Sequence, residues 1–106
     1  MRSALMVEYF QELPILPDGD FLTGRSAELQ SHLQKFRQRV TGRYLEGTLQ
    51  RLLSHSSSQA RRAALLALGL DGTMASNGAA AQCLHDDDAQ VRRLAVDVLW
   101  NIWFRA

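Results

Sequence analysis

Apolar residues recur along this chain at the spacing of helix faces. Val91, Leu94, Ala95, Val98, Leu99, Ile102 and Trp103 form the longest such series, an apolar stripe that calls for a helix with one side in a core. Leu29, Leu33, Phe36 and Val40 repeat at intervals of four, three and four, while Arg25, Glu28, Gln34, Lys35, Arg37 and Arg39 fall elsewhere. The pattern falters at Thr41-Gly42 and resumes with Leu45, Leu49, Leu52 and Leu53, which fits one long helix or two. Ser54-His55-Ser56-Ser57-Ser58 is a polar loop with several candidate N-caps. A helix over residues 59–70 follows, with Ala60, Ala63, Ala64, Ala67 and Leu68 as a narrow stripe of small residues. Asp71-Gly72-Thr73 supplies a C-terminal glycine and a fresh cap, and a short helix through Ala79, Ala80, Cys83 and Leu84 leads to His85-Asp86-Asp87-Asp88. No segment alternates as a strand would, so the fold class is all-α.

The stretch from Tyr9 to Phe21 reads differently. Pro14 and Pro17 bracket Ile15 and Leu16, and Asp18-Gly19-Asp20 is a turn. Its apolar residues predict an extended arm over residues 1–23 lying against the helices, followed by a capping helix over 24–42 that Thr23 starts.

A shift of 31 residues sets 43–73 over 74–104 without a gap, and seven positions match: Gly47/Gly78, Leu53/Leu84, Gln59/Gln90, Arg61/Arg92, Arg62/Arg93, Ala64/Ala95 and Leu68/Leu99. The matches gather around one loop and the helix after it. A period of this length signals stacked helical hairpins, here repeat 1 at 43–73 and repeat 2 at 74–106. The run Leu84-His85-Asp86-Asp87-Asp88-Ala89-Gln90-Val91-Arg92-Arg93-Leu94-Ala95 resembles the HEAT repeat signature in the short form of phycobilisome-lyase-type HEAT-like repeats. The first copy, from Leu53 to Ala64, is similar but carries serines where the acids should be. The resemblance implies a short HEAT-like α-solenoid of stacked antiparallel hairpins. It also implies that Arg61 and Arg92 are structural, with Asp86, Asp87 and Asp88 as their partners, so Arg92→Ala is expected to destabilise the fold. Asp87 or Asp88 can in addition accept hydrogen bonds from the first N–H groups of the last helix.

Composition narrows the function classes. The 106 residues carry a net charge of +1, and eleven of the twelve basic residues are Arg. A sequence pI of about 8.0 with no aromatic interleaving gives no basic stripe. Arg61-Arg62 and Arg92-Arg93 could still line one phosphate-binding face, but the adjacent aspartates disfavour nucleic acid. The single cysteine, Cys83, rules out an intrachain disulfide and sits among small residues as a buried thiol would. Glu8 interrupts the first ten residues, which lack the apolar core of a signal peptide, and no apolar run approaches the roughly 18 residues that span a bilayer. A cytoplasmic location is expected by elimination.

Candidate chemistry is sparse. His85 beside three aspartates reads as capping rather than as a metal site, and His32 and His55 as exposed helix and loop residues. No catalytic arrangement, cofactor or metal is expected, and the chain reads as a non-enzyme. Trp100, Trp103 and Phe104 stand out: Trp103 continues the core stripe while Trp100 and Phe104 point off it, a composition typical of partner surfaces. The expected partner is protein, either a second copy through these aromatics or another chain. An accessory role beside a lyase-like or chaperone-like enzyme is the alternative that the resemblance allows.

Overall fold

The computed structural model describes residues 3–11, 13 and 27–105, and every regular element within them is helical. In chain order these are α1 (Ser3–Gln11), α2 (Ala27–Thr41), α3 (Glu46–Leu52), α4 (Ser58–Asp71), a 3₁₀ turn (Met74–Ser76), α5 (Asn77–Gln82), a second 3₁₀ turn (Cys83–His85) and α6 (Ala89–Arg105).

The chain is helical where an extended arm is expected. Met6 is fully buried, Tyr9 and Phe10 pack on the core, and the Phe10 ring meets Phe36 edge-on at 6.4 Å. Leu13 is buried too, its N–H donating to the Phe10 carbonyl at 3.1 Å. Proline biases only the residue just before it, so Pro14 does not reach back far enough to unwind a segment with Met6, Phe10 and Leu13 on one helical face. The Pro14–Phe21 stretch and the Thr23 cap lie outside the described residues.

Residues 27–52 form two helices. Leu33, Phe36 and Val40 are the buried face of α2. The helix closes with the Arg43 and Tyr44 N–H groups both on the Val40 carbonyl, at 3.0 and 2.9 Å, and Leu45 is extended before α3 begins. Gly42 and the buried Tyr44 thus mark a true break.

Helix α4 is the hub. The run Ala63 to Gly69 is buried without interruption, nearly two full turns, because α1, α2, α3 and α6 all pack around it. What reads as a narrow stripe of alanines is therefore a helix enclosed on all sides, with Leu65 and Leu66 buried beside the small residues. Its C-terminus turns at Gly72, where a Cβ would sit 2.5 Å from the Leu68 carbonyl oxygen, so only glycine permits this close approach. Arg105 then closes the end, donating to the carbonyls of Gly69 at 2.6 Å, Gly72 at 2.7 Å and Leu68 at 3.1 Å. Because α4 meets the start of α6 through Arg61 and Asp86 and its end through Arg105, the two helices run side by side in one direction.

The 31-residue period holds down to single hydrogen bonds. α3 and α5 start 31 residues apart at Glu46 and Asn77, as α4 and α6 do at Ser58 and Ala89. Ser57 caps α4 by accepting from the Ala60 N–H at 3.4 Å; its equivalent, Asp88, accepts from the Gln90 N–H at 2.9 Å. His55 Nδ1 accepts from the Ser57 N–H at 3.0 Å, and Asp86 Oδ1 accepts from the Asp88 N–H at 2.9 Å. Half-buried His55 thus does the work of an aspartate rather than standing exposed in a loop.

In α6 the buried face is Val91, Leu94, Ala95, Val98 and Ile102. Trp103 departs from expectation. It is 52% exposed, and its indole N–H donates to Asn77 Oδ1 at 2.6 Å. One residue past Ile102 the helix has turned by about 100°, which carries Trp103 off the core stripe and onto the face of Trp100.

Candidate interaction surface

The loop at Asp86–Asp88 is where the repeats are joined. Arg61 projects from the first turn of α4 and grips Asp86 with two bonds, Nε to Oδ2 at 2.9 Å and Nη2 to Oδ1 at 3.0 Å. Nη2 also reaches Asp87 Oδ1 at 3.1 Å, while Nη1 donates back to the His55 and Ser56 carbonyls at 2.9 and 3.1 Å. Its planar fork is filled on both sides, an arrangement lysine could not make. Arg62 binds Asp88, Nε to Oδ2 at 2.8 Å. The Arg61, Asp86, Arg62 and Asp88 side chains are all largely withdrawn from water, whereas Asp87 is exposed.

Arg92 keeps only half of this. It donates to the carbonyl of Asp86 at 2.7 Å, matching the Arg61 bond to the equivalent residue His55, and it touches no carboxylate among the described residues. The inter-repeat tie therefore belongs to Arg61, with Arg92 left exposed. With Arg61 and Arg62 both committed to aspartates, the four arginines do not form one open phosphate-binding face.

Sequence reasoning missed a second tie. Glu46, at the start of α3, accepts from the Thr73 N–H at 2.9 Å, from the Thr73 hydroxyl at 3.0 Å and from the hydroxyl of fully buried Ser76, to which Gln50 also donates at 2.9 Å. Thr73 in turn caps the 3₁₀ turn, accepting from the Ala75 N–H at 3.2 Å. The cap at Thr73 is legible in sequence; its carboxylate partner 27 residues earlier is not.

Burial pushes the Glu46 carboxyl up, but the Ser76 and Thr73 hydrogen bonds and the Arg105 charge outweigh it and hold the group below its ordinary 4.5. Burial likewise opposes ionisation of Asp86 and Asp88, and the hydrogen bonds from Arg61 and the Asp88 N–H to one, and from the Gln90 N–H and Arg62 to the other, bring both below 3.8. A carboxylate that titrates lower when folded stabilises the fold fully above its unfolded value and loses that contribution as pH falls through the folded one. Thermal stability should accordingly hold down to about pH 5 and fall steeply below pH 4. Melts between pH 7 and pH 2.5 check this, and a melting temperature unchanged at pH 3 contradicts it.

Cys83 is buried as expected, and burial, reinforced by the Asp86 charge, pushes its thiol up to about 11, so it stays protonated near neutrality. His85 is exposed, and His32 is half-buried. Among the described residues no group of three or more His, Cys, Asp or Glu is placed to hold a metal ion, and no helix is long and apolar enough to cross a membrane. An open cavity of about 240 Å³ between α2, α3 and α4 is lined by Arg37, Thr41, Glu46 and Asp71 among others. Its polar groups are engaged with one another or with neighbours: Arg37 donates to Asp71 at 3.1 Å, Thr41 to Asp71 at 3.4 Å, and Glu46 holds Thr73.

The remaining feature is the outer face of α6. Leu84, Val96, Trp100, Trp103 and Phe104 are all exposed, Phe104 to 83%. Trp100 is the centre: it meets Trp103 edge-on at 5.7 Å and stacks on Phe104 at 5.8 Å. Leu84, Val96, Leu99, Trp100 and Trp103 enclose an apolar hollow of about 170 Å³. The same positions in repeat 1 are covered: Leu53 and Leu65, equivalent to Leu84 and Val96, are 6% and 0% exposed, and Gly69, equivalent to Trp100, is buried. Compared with protein-family models, curated proteins and solved structures, the chain matches none.

Proposed function

We propose that this chain is a non-catalytic helical-repeat module of the HEAT-like kind, a short α-solenoid whose role is protein–protein interaction or scaffolding. One observation carries the reading. The helix face that repeat 1 buries against repeat 2 is present again on repeat 2 with aromatic residues exposed on it, a composition that suits a binding surface better than a solvated one. The recurrence of capping and loop hydrogen bonds every 31 residues supports the repeat architecture.

The test compares the wild-type chain with a Trp100→Ser/Phe104→Ser double variant. Both residues are exposed, so the variant should melt within a few degrees of wild type and give the same circular dichroism. Photo-crosslinking in extract of the source cells should yield adducts with the wild type that the variant lacks. Identical adduct patterns from both chains would place the binding surface elsewhere and sink the reading.

A further inference from the structure

The interaction-module reading leaves open what sits on α6, and the loop chemistry narrows it. Each loop in the chain matches the residues one repeat before it. Arg61 and Arg62 precede the loop Asp86-Asp87-Asp88 and bind its three carboxylates. Gln30 and Ser31 hold the equivalent place one repeat earlier, and the loop that follows them is Ser56-Ser57-Ser58 with His55. Acids stand where arginines reach for them and are replaced where no arginine does. The arginine pair is present once more, as Arg92-Arg93, at the exposed start of α6.

We propose, resting on that reading, that the face of α6 formed by Arg92, Arg93, Val96, Trp100 and Phe104 seats an amphipathic helix of another protein. That helix runs in the same direction as α6, carries aspartate or glutamate at its N-cap and first turn against Arg92 and Arg93, and places apolar side chains in the hollow beside Trp100. The orientation follows from the contact already made inside the molecule, where the acids at the head of α6 meet the arginines at the head of α4 and the two helices run parallel. Acids at that end also suit the partner helix's own dipole. Apolar anchors at helical spacing in a groove are an established way to hold a helix.

Two other occupants fit the chemistry less well. A second copy lacks an acid for the position, since its Asp86 and Asp88 are held by its own Arg61 and Arg62. Pairing α6 with α6 sets arginine against arginine if parallel, or against the acid-free turn Trp103-Phe104-Arg105 if antiparallel. Nor do the residues after Ile102 copy the turn that brings α6 onto α4. That turn needs Gly72, and its equivalent is Trp103, which is still helical. The bulk of Trp100 where repeat 1 has Gly69 also keeps the incoming helix farther off than α6 lies from α4, leaving room for larger side chains between them.

The experiment uses two helix-stabilised synthetic peptides of about five turns, identical in their leucine stripe, one beginning with three aspartates and the other with three lysines. Emission of Trp100 and Trp103 reports binding to the full chain at low salt. The aspartate peptide should bind at least roughly tenfold more tightly, with the advantage shrinking as salt rises. Arg92→Glu, alone and with Arg93→Glu, should reverse the order while leaving the circular dichroism unchanged. Equal affinities, no binding by either peptide at millimolar concentration, or an order that survives the reversal each overturns the acidic helix. So does a dimer in light scattering that Trp100→Ser dissolves, which would give the face to a second copy. None of these outcomes touches the module reading, which fails only if the aromatic variant keeps its crosslinks.

Discussion

Arg61→Ala should cost about 3 kcal/mol, a fall in melting temperature on the order of 15 °C for a domain of this size. The reason is what the change leaves behind. Asp86 is only 12% exposed and takes two of its hydrogen bonds from Arg61; without the guanidinium a charge stays in a poorly solvated place with only the Asp88 N–H to hold it. The His55 and Ser56 carbonyls lose their donor at the same time. Arg92→Ala, at the matching position, should cost well under about 1 kcal/mol, because it removes one bond from an exposed side chain. Chemical denaturation of the two variants side by side measures the contrast directly. The Arg61→Ala deficit should also shrink in acid, as Asp86 gains a proton and no longer needs a counter-charge. Equal losses from both variants would mean that the inter-repeat tie is not where the stability lies.

Phe36→Ala should be at least as damaging, at about 4 kcal/mol. Phe36 is 2% exposed and meets the Phe10 ring, so its loss opens a cavity between α1, α2 and α4 in a place with little freedom to collapse. The measurement also decides a question of organisation. α1 and α2 lie outside the repeat, yet both pack on the hub helix. A single cooperative transition shifted by roughly 20 °C is expected if they are part of one core. A loss below about 1 kcal/mol, or a separate early transition, would make them a detachable cap.

The repeat was legible in the sequence because it rests on local chemistry. Cap residues, turn glycines and helix periods are set within a few positions of each other, and Ser57/Asp88 and Gly72 sit where the pattern puts them. What one sequence could not separate is which of two identical residues has a neighbour to hold. Arg61 and Arg92 read alike, and the difference lies wholly in whether an acidic loop faces them. Trp103 was misplaced for a related reason. An apolar periodicity of three and four tolerates either neighbour of Ile102, and only packing selects one. The role of His55 was hidden by residue type, since an imidazole nitrogen and a carboxylate oxygen accept the same N–H but share no sequence signature. The Glu46 contact joins residues 27 apart across a helix hairpin, beyond any local rule.

The serine loop at residues 56–58 has a consequence for assembly. A protein whose exit surface fits its own entry surface adds copies head to tail and, unless the rotation closes a ring, grows into an open filament. Here α6 presents arginines and aromatics, but the matching entry loop carries hydroxyls instead of carboxylates, and α4 behind it is already covered by α1 and α2. The two ends of the molecule therefore do not complement each other, which guards a short repeat protein with a sticky last helix against running on into fibres of itself.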